Sequence, residues 1–315
     1  MSKIVAIINS NENISKLQKY GIDFSTLLRS DKNEEEIKAL NPDILICRNR
    51  DNISKFVKDC SNLKMIFVVE VGLEKLPFDE LIRHNVRVAH TSGISADIMS
   101  NYSMACILSD IANLEEDFNN KQKHFWKKFQ CTDSLVDKTL LVVGAGRTGY
   151  LIAKKAKVFG IKTIGVVKNY REIDVFDEVG TLDKLDIFLE CADYVLCVLP
   201  LTPETKHLFN ADRFSKMKQN ALFINISRGA LVCENDLLEA IENKKIAKAF
   251  LDVFEVEPLP KDHAFWSTPN IKITPHQSGR LKDYMDRAMD IFVENYQAYR
   301  KGEKMPNEAN LEQGY

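Results

Sequence analysis

Neither sign of charge dominates this chain. Its 43 basic and 45 acidic residues leave a net charge of -2, so it carries no basic field of the kind that gathers nucleic acid, and charge alone names no partner. Paired cysteine spacing is also missing. The seven cysteines (Cys47, Cys60, Cys106, Cys131, Cys191, Cys197 and Cys233) are scattered, odd in number and without a Cys-x-x-Cys pair, which argues against a disulfide framework and against a zinc site. They read as small buried hydrophobes in a reducing compartment. Long apolar runs are absent as well. The stretch Ile4-Val-Ala-Ile-Ile8 is too short for a signal sequence and runs into polar Asn9-Ser-Asn-Glu12, so the expectation is a soluble cytoplasmic protein that stays off the membrane. Internal repeats and low-complexity tracts do not occur.

What is present is one strong local pattern. In Leu141-Val-Val-Gly-Ala-Gly-Arg-Thr-Gly149 an apolar run feeds directly into Gly144-x-Gly146-x-x-Gly149, which reads as strand, tight turn and helix start. The first glycine permits the turn, the second lets backbone amides approach phosphates with no Cβ in the way, and the third lets the helix pack on its strand. A helical stretch from Tyr150 to Phe159 then leads into a second apolar strand, Thr163 to Val167, completing the strand-helix-strand unit that a dinucleotide site requires.

At 315 residues the chain is long enough for two domains with real cores. Short β-branched runs at Ile4–Ile8, Ile44–Cys47, Met65–Val69 and Val86–Ala89 alternate with amphipathic stretches, predicting an open α/β domain. A second series, Leu140–Val143, Thr163–Val167, Tyr194–Leu199, Leu222–Ile226, Ala249–Val253 and Ile271–Thr274, predicts a larger parallel sheet. Ser95 to Phe118 reads as one connecting helix. Asp283 to Arg300, with Met285, Met289, Phe292, Val293, Tyr296 and Tyr299 at helical spacing, reads as a return helix. The substrate-side domain is therefore expected to be discontinuous, residues 1–97 and 282–315, with the dinucleotide domain, 98–281, inserted in it.

Three strings in the second half place a charged residue just past the C-terminal end of a predicted strand, the edge at which open parallel sheets put their ligands. They are Phe223-Ile-Asn-Ile-Ser-Arg-Gly-Ala-Leu-Val232, Leu251-Asp-Val-Phe-Glu-Val-Glu-Pro-Leu-Pro260 and Ile273-Thr-Pro-His-Gln-Ser-Gly279. Each has a plain alternative: Arg228 as a helix-flanking surface charge, Glu257 as a solvated residue before a proline, His276 as a satisfied turn histidine. Three at strand ends in one domain point instead to a site.

The ordered set Gly-x-Gly-x-x-Gly, Leu199-Pro-Leu-Thr-Pro-Glu-Thr205, Asn225-x-Ser-Arg-Gly229, Leu251-Asp-Val-Phe with Glu257-Pro-Leu-Pro260, and Thr274-Pro-His276 resembles the D-isomer-specific 2-hydroxyacid dehydrogenase family, from about Met65 to the C terminus. The resemblance implies a Rossmann-type dinucleotide domain inserted into a flavodoxin-like substrate domain, two open parallel sheets in all. It implies hydride transfer between a nicotinamide cofactor and a small 2-oxo or 2-hydroxy acid, and a homodimer. By the same resemblance Arg228, Glu257 and His276 are the catalytic triad and Asp252 contacts the nicotinamide carboxamide. Gly144, Gly146, Arg147, Thr148, Gly149, Pro200, Thr205 and Ser227 fall on the cofactor side, and the backbone around Val71 and Gly72 resembles the loop whose amides help hold the substrate carboxylate. Trp126, Ala264-Phe-Trp266 and Gly314-Tyr315 are similar to the glyoxylate and hydroxypyruvate reductase branch.

The residue types suit that chemistry. A planar guanidinium at Arg228 can hold a carboxylate with two charge-assisted bonds while leaning on the adjacent ketone oxygen. Negative charge developing on that oxygen needs a proton from a group that titrates near neutrality, which suits His276. A carboxylate on the other imidazole nitrogen fixes the tautomer and favours the protonated ring. Glu257 fills that role in the family pattern, and Glu255 is the alternative.

Departures from the pattern carry their own information. At the end of the second strand of the dinucleotide domain, where NAD-preferring members carry an acid for the ribose hydroxyls, this chain reads Val166-Val167-Lys168-Asn169. Nothing there repels a 2'-phosphate, and Lys168, Asn169 and Arg171 could bind one, so NADP is expected over NAD. The plain alternative is a solvated Lys168 and weak NAD binding. Asn101 stands where a glutamate is usual, and Glu70-Val71 replaces small residues in the substrate loop. If Glu70 faces the substrate, a further acidic group on that substrate would be disfavoured. A reading from another class is a dinucleotide-sensing, co-repressor-like binding protein on the same fold; no partner-binding tail is visible to favour it.

Overall fold

Two parallel sheets, each with its own helices and core, account for the chain. In the computed structural model residues 2–128 and 133–314 are described; Cys131 and Tyr315 lie outside them. The chain divides into one unit of Met1–Ile94 with Leu281–Tyr315 and a second of Ser95–Arg280, rather than at 97/98 and 281/282. The first boundary falls where it does because Ser95 is already the cap residue of the helix Ala96–Ile111, and its Oγ donates to the Gly279 carbonyl at 2.7 Å within the second unit.

The first unit holds β1 (Ile4–Ile8), β2 (Ser25–Leu28), β3 (Ile44–Cys47), β4 (Met65–Val68) and β5 (Arg87–His90) in the order β2-β1-β3-β4-β5, all neighbours parallel. This is the doubly wound order of a flavodoxin-like sheet. The inner strands β3 and β4 are buried at every residue, which is why they read as continuous apolar runs. The helix Tyr284–Arg300 buries Ala288, Met289, Phe292, Val293 and Tyr296 on one stripe. Phe292 meets Phe67 of β4 edge-on with ring centroids 5.3 Å apart, an arrangement that adds about 1 kcal/mol to its burial.

The second unit holds β6 (Thr139–Val143), β7 (Lys162–Val166), β8 (Glu178–Gly180), β9 (Tyr194–Cys197), β10 (Leu222–Asn225), β11 (Lys248–Leu251) and β12 (Ile271–Ile273) in the order β12-β11-β10-β9-β6-β7-β8, again all parallel. The chain leaves β6 in one direction to build β7 and β8 and returns to its other side with β9, so the strand order reverses between β6 and β9. Ligands of open α/β sheets bind outside the strand ends at such a reversal.

The sequence pattern misses β2 and β8 for one reason. Both are edge strands; three of the four residues of β2 are exposed and β8 has three residues, so neither carries an apolar run or an alternation. The single helix expected over Ser95–Phe118 is two, Ala96–Ile111 and Leu114–Gln122, broken where Asn113 adopts a left-handed φ of 53° that asparagine tolerates better than most residues. The six described cysteines are free. Burial pushes the thiols of Cys106 and Cys197 up to about 12, which makes them inert packing groups. Cys191 differs from the expectation of burial, being exposed. Among the described residues no helix is long and apolar enough to cross a membrane.

Candidate active site

The glycine motif is built as a cradle in which each glycine is needed for a different reason. Gly144 sits at φ +115°, and a Cβ there would lie 2.5 Å from the Val198 carbonyl oxygen, because the ends of β6 and β9 close on each other at the strand-order reversal. A Cβ on Gly149 would lie 2.4 Å from the Gly144 carbonyl oxygen, so this glycine lets the helix Arg147–Val158 pack on its own turn. Gly146 is the exception. It has an ordinary φ of -83° as the N-cap of that helix, and nothing lies within 4 Å of its Cβ position. No contact inside the protein calls for a glycine there; the open space at a helix N-terminus is what a pyrophosphate needs. Arg147 is exposed and Thr148 half-buried at the start of the same helix.

Beyond β7, Val167 is buried at 8 % exposure while Lys168 and Asn169 are exposed. Arg171 reaches back to the cradle, its Nη2 donating to the Ala145 carbonyl at 3.4 Å. The loop after β9 is clamped from inside. Thr205 Oγ1 donates to the Pro200 carbonyl at 2.8 Å and accepts from the Thr202 N–H at 2.8 Å, while the Ser227 hydroxyl donates to the Leu199 carbonyl. Glu204 on this loop is held below the usual carboxylate range, first by Thr202 and with a contribution from the charge of Lys168.

Arg228 follows β10. Asn225 at the end of that strand organises the turn, its Nδ2 donating to the Arg228 carbonyl at 2.9 Å and its Oδ1 accepting from the Ser227 N–H at 3.1 Å. Arg228 is half-buried in extended backbone, φ -140° and ψ 140°. The next residue has no room for a side chain, since a Cβ on Gly229 would lie 1.8 Å from the Phe254 carbonyl carbon. The Phe254–Glu255 peptide is therefore pressed onto the Arg228 turn.

The same peptide leads to the other two residues. Glu257 Oε1 accepts from the Phe254 N–H at 3.0 Å, and its Oε2 lies 2.7 Å from His276 Nδ1. A carboxylate can only accept, so Nδ1 carries the hydrogen and Nε2 is the ring nitrogen that Glu257 leaves open. Glu255 is committed elsewhere, to His207 Nε2 at 2.6 Å. Asp252, just past β11, has no exposed surface, and its carboxylate is spent on the turn that carries His276, accepting from Thr274 Oγ1 at 2.6 Å and from the backbone N–H groups of Gln277 at 2.9 Å and Ser278 at 2.8 Å. A buried carboxylate is tolerable only with its lone pairs so satisfied.

In the first unit the loop after β4 is held from two sides. The Val71 carbonyl accepts from His90 Nδ1 at 2.9 Å, and the Glu70 carboxylate accepts from the Asn49 N–H at 2.7 Å and from Arg48 Nη1 at 3.3 Å. Neither the Val71 nor the Gly72 N–H has an acceptor among the described residues. Glu70 therefore turns toward the end of β3. Sequence reading missed Arg48 and Glu12, the second acid on Arg48, and the His207–Glu255 pair. The signal was present: Arg48 follows β3 directly, as Arg228 follows β10 by three residues, and the strand-end rule applied to the second sheet was not applied to the first.

Against known proteins, the sequence profile described as "D-isomer specific 2-hydroxyacid dehydrogenase, NAD binding domain" matches residues 104–278. The chain is 33% identical over 282 residues to a glyoxylate reductase of Thermofilum pendens, with 86% of this chain and 82% of that one covered. It is 30% identical over 274 residues to the glyoxylate reductase/hydroxypyruvate reductase of Homo sapiens, covering 85% and 84%. Among solved structures it is similar to a D-isomer specific 2-hydroxyacid dehydrogenase family protein of Aeromonas salmonicida, with a TM-score of 0.84, 30% identity, and 99% of this chain and 100% of that one covered.

Proposed function

Because the chain belongs to the D-isomer specific 2-hydroxyacid dehydrogenase family, we propose that it reduces a small 2-oxo acid of the glyoxylate or hydroxypyruvate kind, giving the D-2-hydroxy acid where the new centre is chiral, and that it uses NADPH in preference to NADH. The observation that carries the reading is the Glu257–His276 pair at 2.7 Å, held on a turn built by buried Asp252 in the same unit as the glycine cradle.

The cradle residues fit a dinucleotide, which when bound supplies hydride to the carbonyl carbon. The amides around Gly144, Gly146 and Gly149, with Arg147 and Thr148, hold its pyrophosphate; Lys168 and Asn169, with Arg171, take a 2'-phosphate. Pro200 lines the cofactor side through the loop that Thr205 and Ser227 clamp. Asp252 positions the turn that carries His276 and, as the family resemblance implies, also contacts the nicotinamide carboxamide. Arg228 binds the substrate carboxylate and draws on the ketone oxygen; in the first unit, the Val71 and Gly72 amides are substrate-binding groups by the family resemblance. As charge grows on the ketone oxygen, His276 Nε2 delivers the proton, and Glu257 on Nδ1 stabilises the imidazolium that must be present beforehand.

The human and Thermofilum relatives are named for glyoxylate and hydroxypyruvate, which supports the substrate kind. A homodimer is supported by the helix Leu114–Gln122, which buries none of its residues and exposes Leu114 and Phe118, followed by exposed Phe125 and Trp126. The free state of the described cysteines supports a cytoplasmic setting. The test is oxidation of NADPH and NADH followed against a panel of 2-oxo acids containing glyoxylate, hydroxypyruvate and pyruvate. Turnover of at least one with NADPH, at higher efficiency than with NADH, is expected. No turnover with either cofactor overturns the reaction, and a preference for NADH overturns the cofactor assignment.

A further inference from the structure

Arg48 contacts the loop 69–73 after β4, and it is already occupied. Its Nη2 is paired with Glu12, its Nη1 with Glu70 at 3.3 Å and, more weakly, with the Val69 carbonyl at 3.5 Å. The three side chains are mostly enclosed, at 16% exposure for Arg48, 11% for Glu12 and 33% for Glu70. Burial alone would push the Glu12 carboxyl up, but the Asn9 N–H and the charge of Arg48 more than reverse it and hold it below the usual carboxylate range. Two carboxylates thus share one guanidinium. The other cations at this sheet edge are engaged with other groups: Arg29 is paired with Asp51, and Arg50, which is exposed, donates to Asn9 Oδ1 at 3.4 Å.

We propose that Glu70, held by Arg48 and the Asn49 amide, sets the charge class of the substrate: this site takes 2-oxo acids with one negative charge and turns away those with a second anionic group. The inference rests on the reading that the Val71 and Gly72 amides hold the substrate carboxylate. Glu70 precedes those amides in the chain, so its charge acts on a second anion of the same small molecule over a range set by a screening length of about 8–10 Å. The Arg48 guanidinium, spent on Glu12 and Glu70, is not free to receive that anion. Binding it would require Arg48 to release Glu70, which would leave a partly enclosed carboxylate without its counter-charge and free the loop from the end of β3. A substrate with an uncharged side chain asks for none of this.

The test uses two 2-oxo acids of the same shape, 4-methyl-2-oxopentanoate and oxaloacetate, in which an isopropyl group and a carboxylate occupy the same place. Each is measured against glyoxylate turnover as a competing ligand, in the wild type and in Glu70→Gln. The glutamine keeps an oxygen for the Asn49 N–H and removes the charge, and taking the ratio of the two inhibition constants within each enzyme cancels any general loss. The wild type should bind the singly charged acid at least tenfold more tightly, and Glu70→Gln should shrink that ratio at least fivefold by strengthening oxaloacetate. Equal binding of the two acids by the wild type, exclusion of both alike by both enzymes, or a ratio unchanged in Glu70→Gln each overturns the proposal. Failure of the underlying reading looks different: the wild type then turns over no 2-oxo acid at all.

Discussion

In the proposed reaction Arg228 and His276 would divide the work by shape and by proton. The turn that presents Arg228 is organised by Asn225 and closed by Gly229 against the Phe254–Glu255 peptide, so the guanidinium is presented from a fixed backbone and its planar fork is the working feature. Arg228→Lys retains the charge and loses the fork. Catalytic efficiency for any accepted 2-oxo acid should fall by about two orders of magnitude or more, roughly 3 kcal/mol; steady-state kinetics near wild type would remove Arg228 from the site. For His276 the reduction direction needs the protonated ring, so activity should decline as pH rises. The Glu257 charge on Nδ1 favours that form. In Glu257→Gln the decline should therefore begin at lower pH, and a pH profile of kcat/KM that does not move would separate Glu257 from the proton transfer. Glu255, with its carboxylate on His207, should leave the profile in place when changed to Gln.

At the scale of elements, the glycine loop makes two different demands that substitution can tell apart. Gly149→Ala drives a Cβ to 2.4 Å from a backbone oxygen, and the helix Arg147–Val158 must shift; a cost of about 3 kcal/mol and a melting temperature lower by several degrees are expected. Gly146→Ala meets nothing within 4 Å. Its melting temperature should stay near wild type while the KM for the dinucleotide rises by about tenfold or more, if a bound pyrophosphate occupies that space. If both variants melt like the wild type and bind cofactor alike, the cradle is not a phosphate site. In the proposed reading the end of β7 carries the cofactor preference. An acid at Val167 would be desolvated, since that residue is buried, whereas Lys168 is exposed. Lys168→Asp should lower the NADPH-to-NADH efficiency ratio by at least about tenfold, on the order of 1.4 kcal/mol. A ratio that stays put would assign the phosphate to Arg171, which already lies on the cradle at Ala145.

For the whole molecule, the helix Leu114–Gln122 poses the clearest question, because a helix with no fully buried residue gains little stability from packing within its own chain. Phe118 at 64% exposure and Trp126 at 86% are large apolar groups that a second copy of the chain would cover. The protein should sediment as a dimer, and Phe118→Glu should shift it toward the single-chain mass; a wild type that sediments as a single chain ends the dimer reading.

Much of this was legible in the sequence, and the reason is local. A strand buried on both faces has to be continuously apolar, so the inner strands of both sheets announced themselves, and a turn that closes on its own helix has to be glycine, so the cradle did too. The strand-end positions of Arg228, Glu257 and His276 followed from the same runs. What depended on distant residues stayed hidden. The edge strands β2 and β8 exist because a neighbour pairs with them, not because their residues demand it. The choice between Glu257 and Glu255 was decided by the course of one short peptide over Gly229, Asp252 became a builder of the His276 turn only when β11 and β12 were paired, and the direction of Glu70 was set by Arg48 at the end of a strand twenty-two residues earlier. Ion pairs and turns of that kind join positions that share no local pattern, so only the folded chain could assign them.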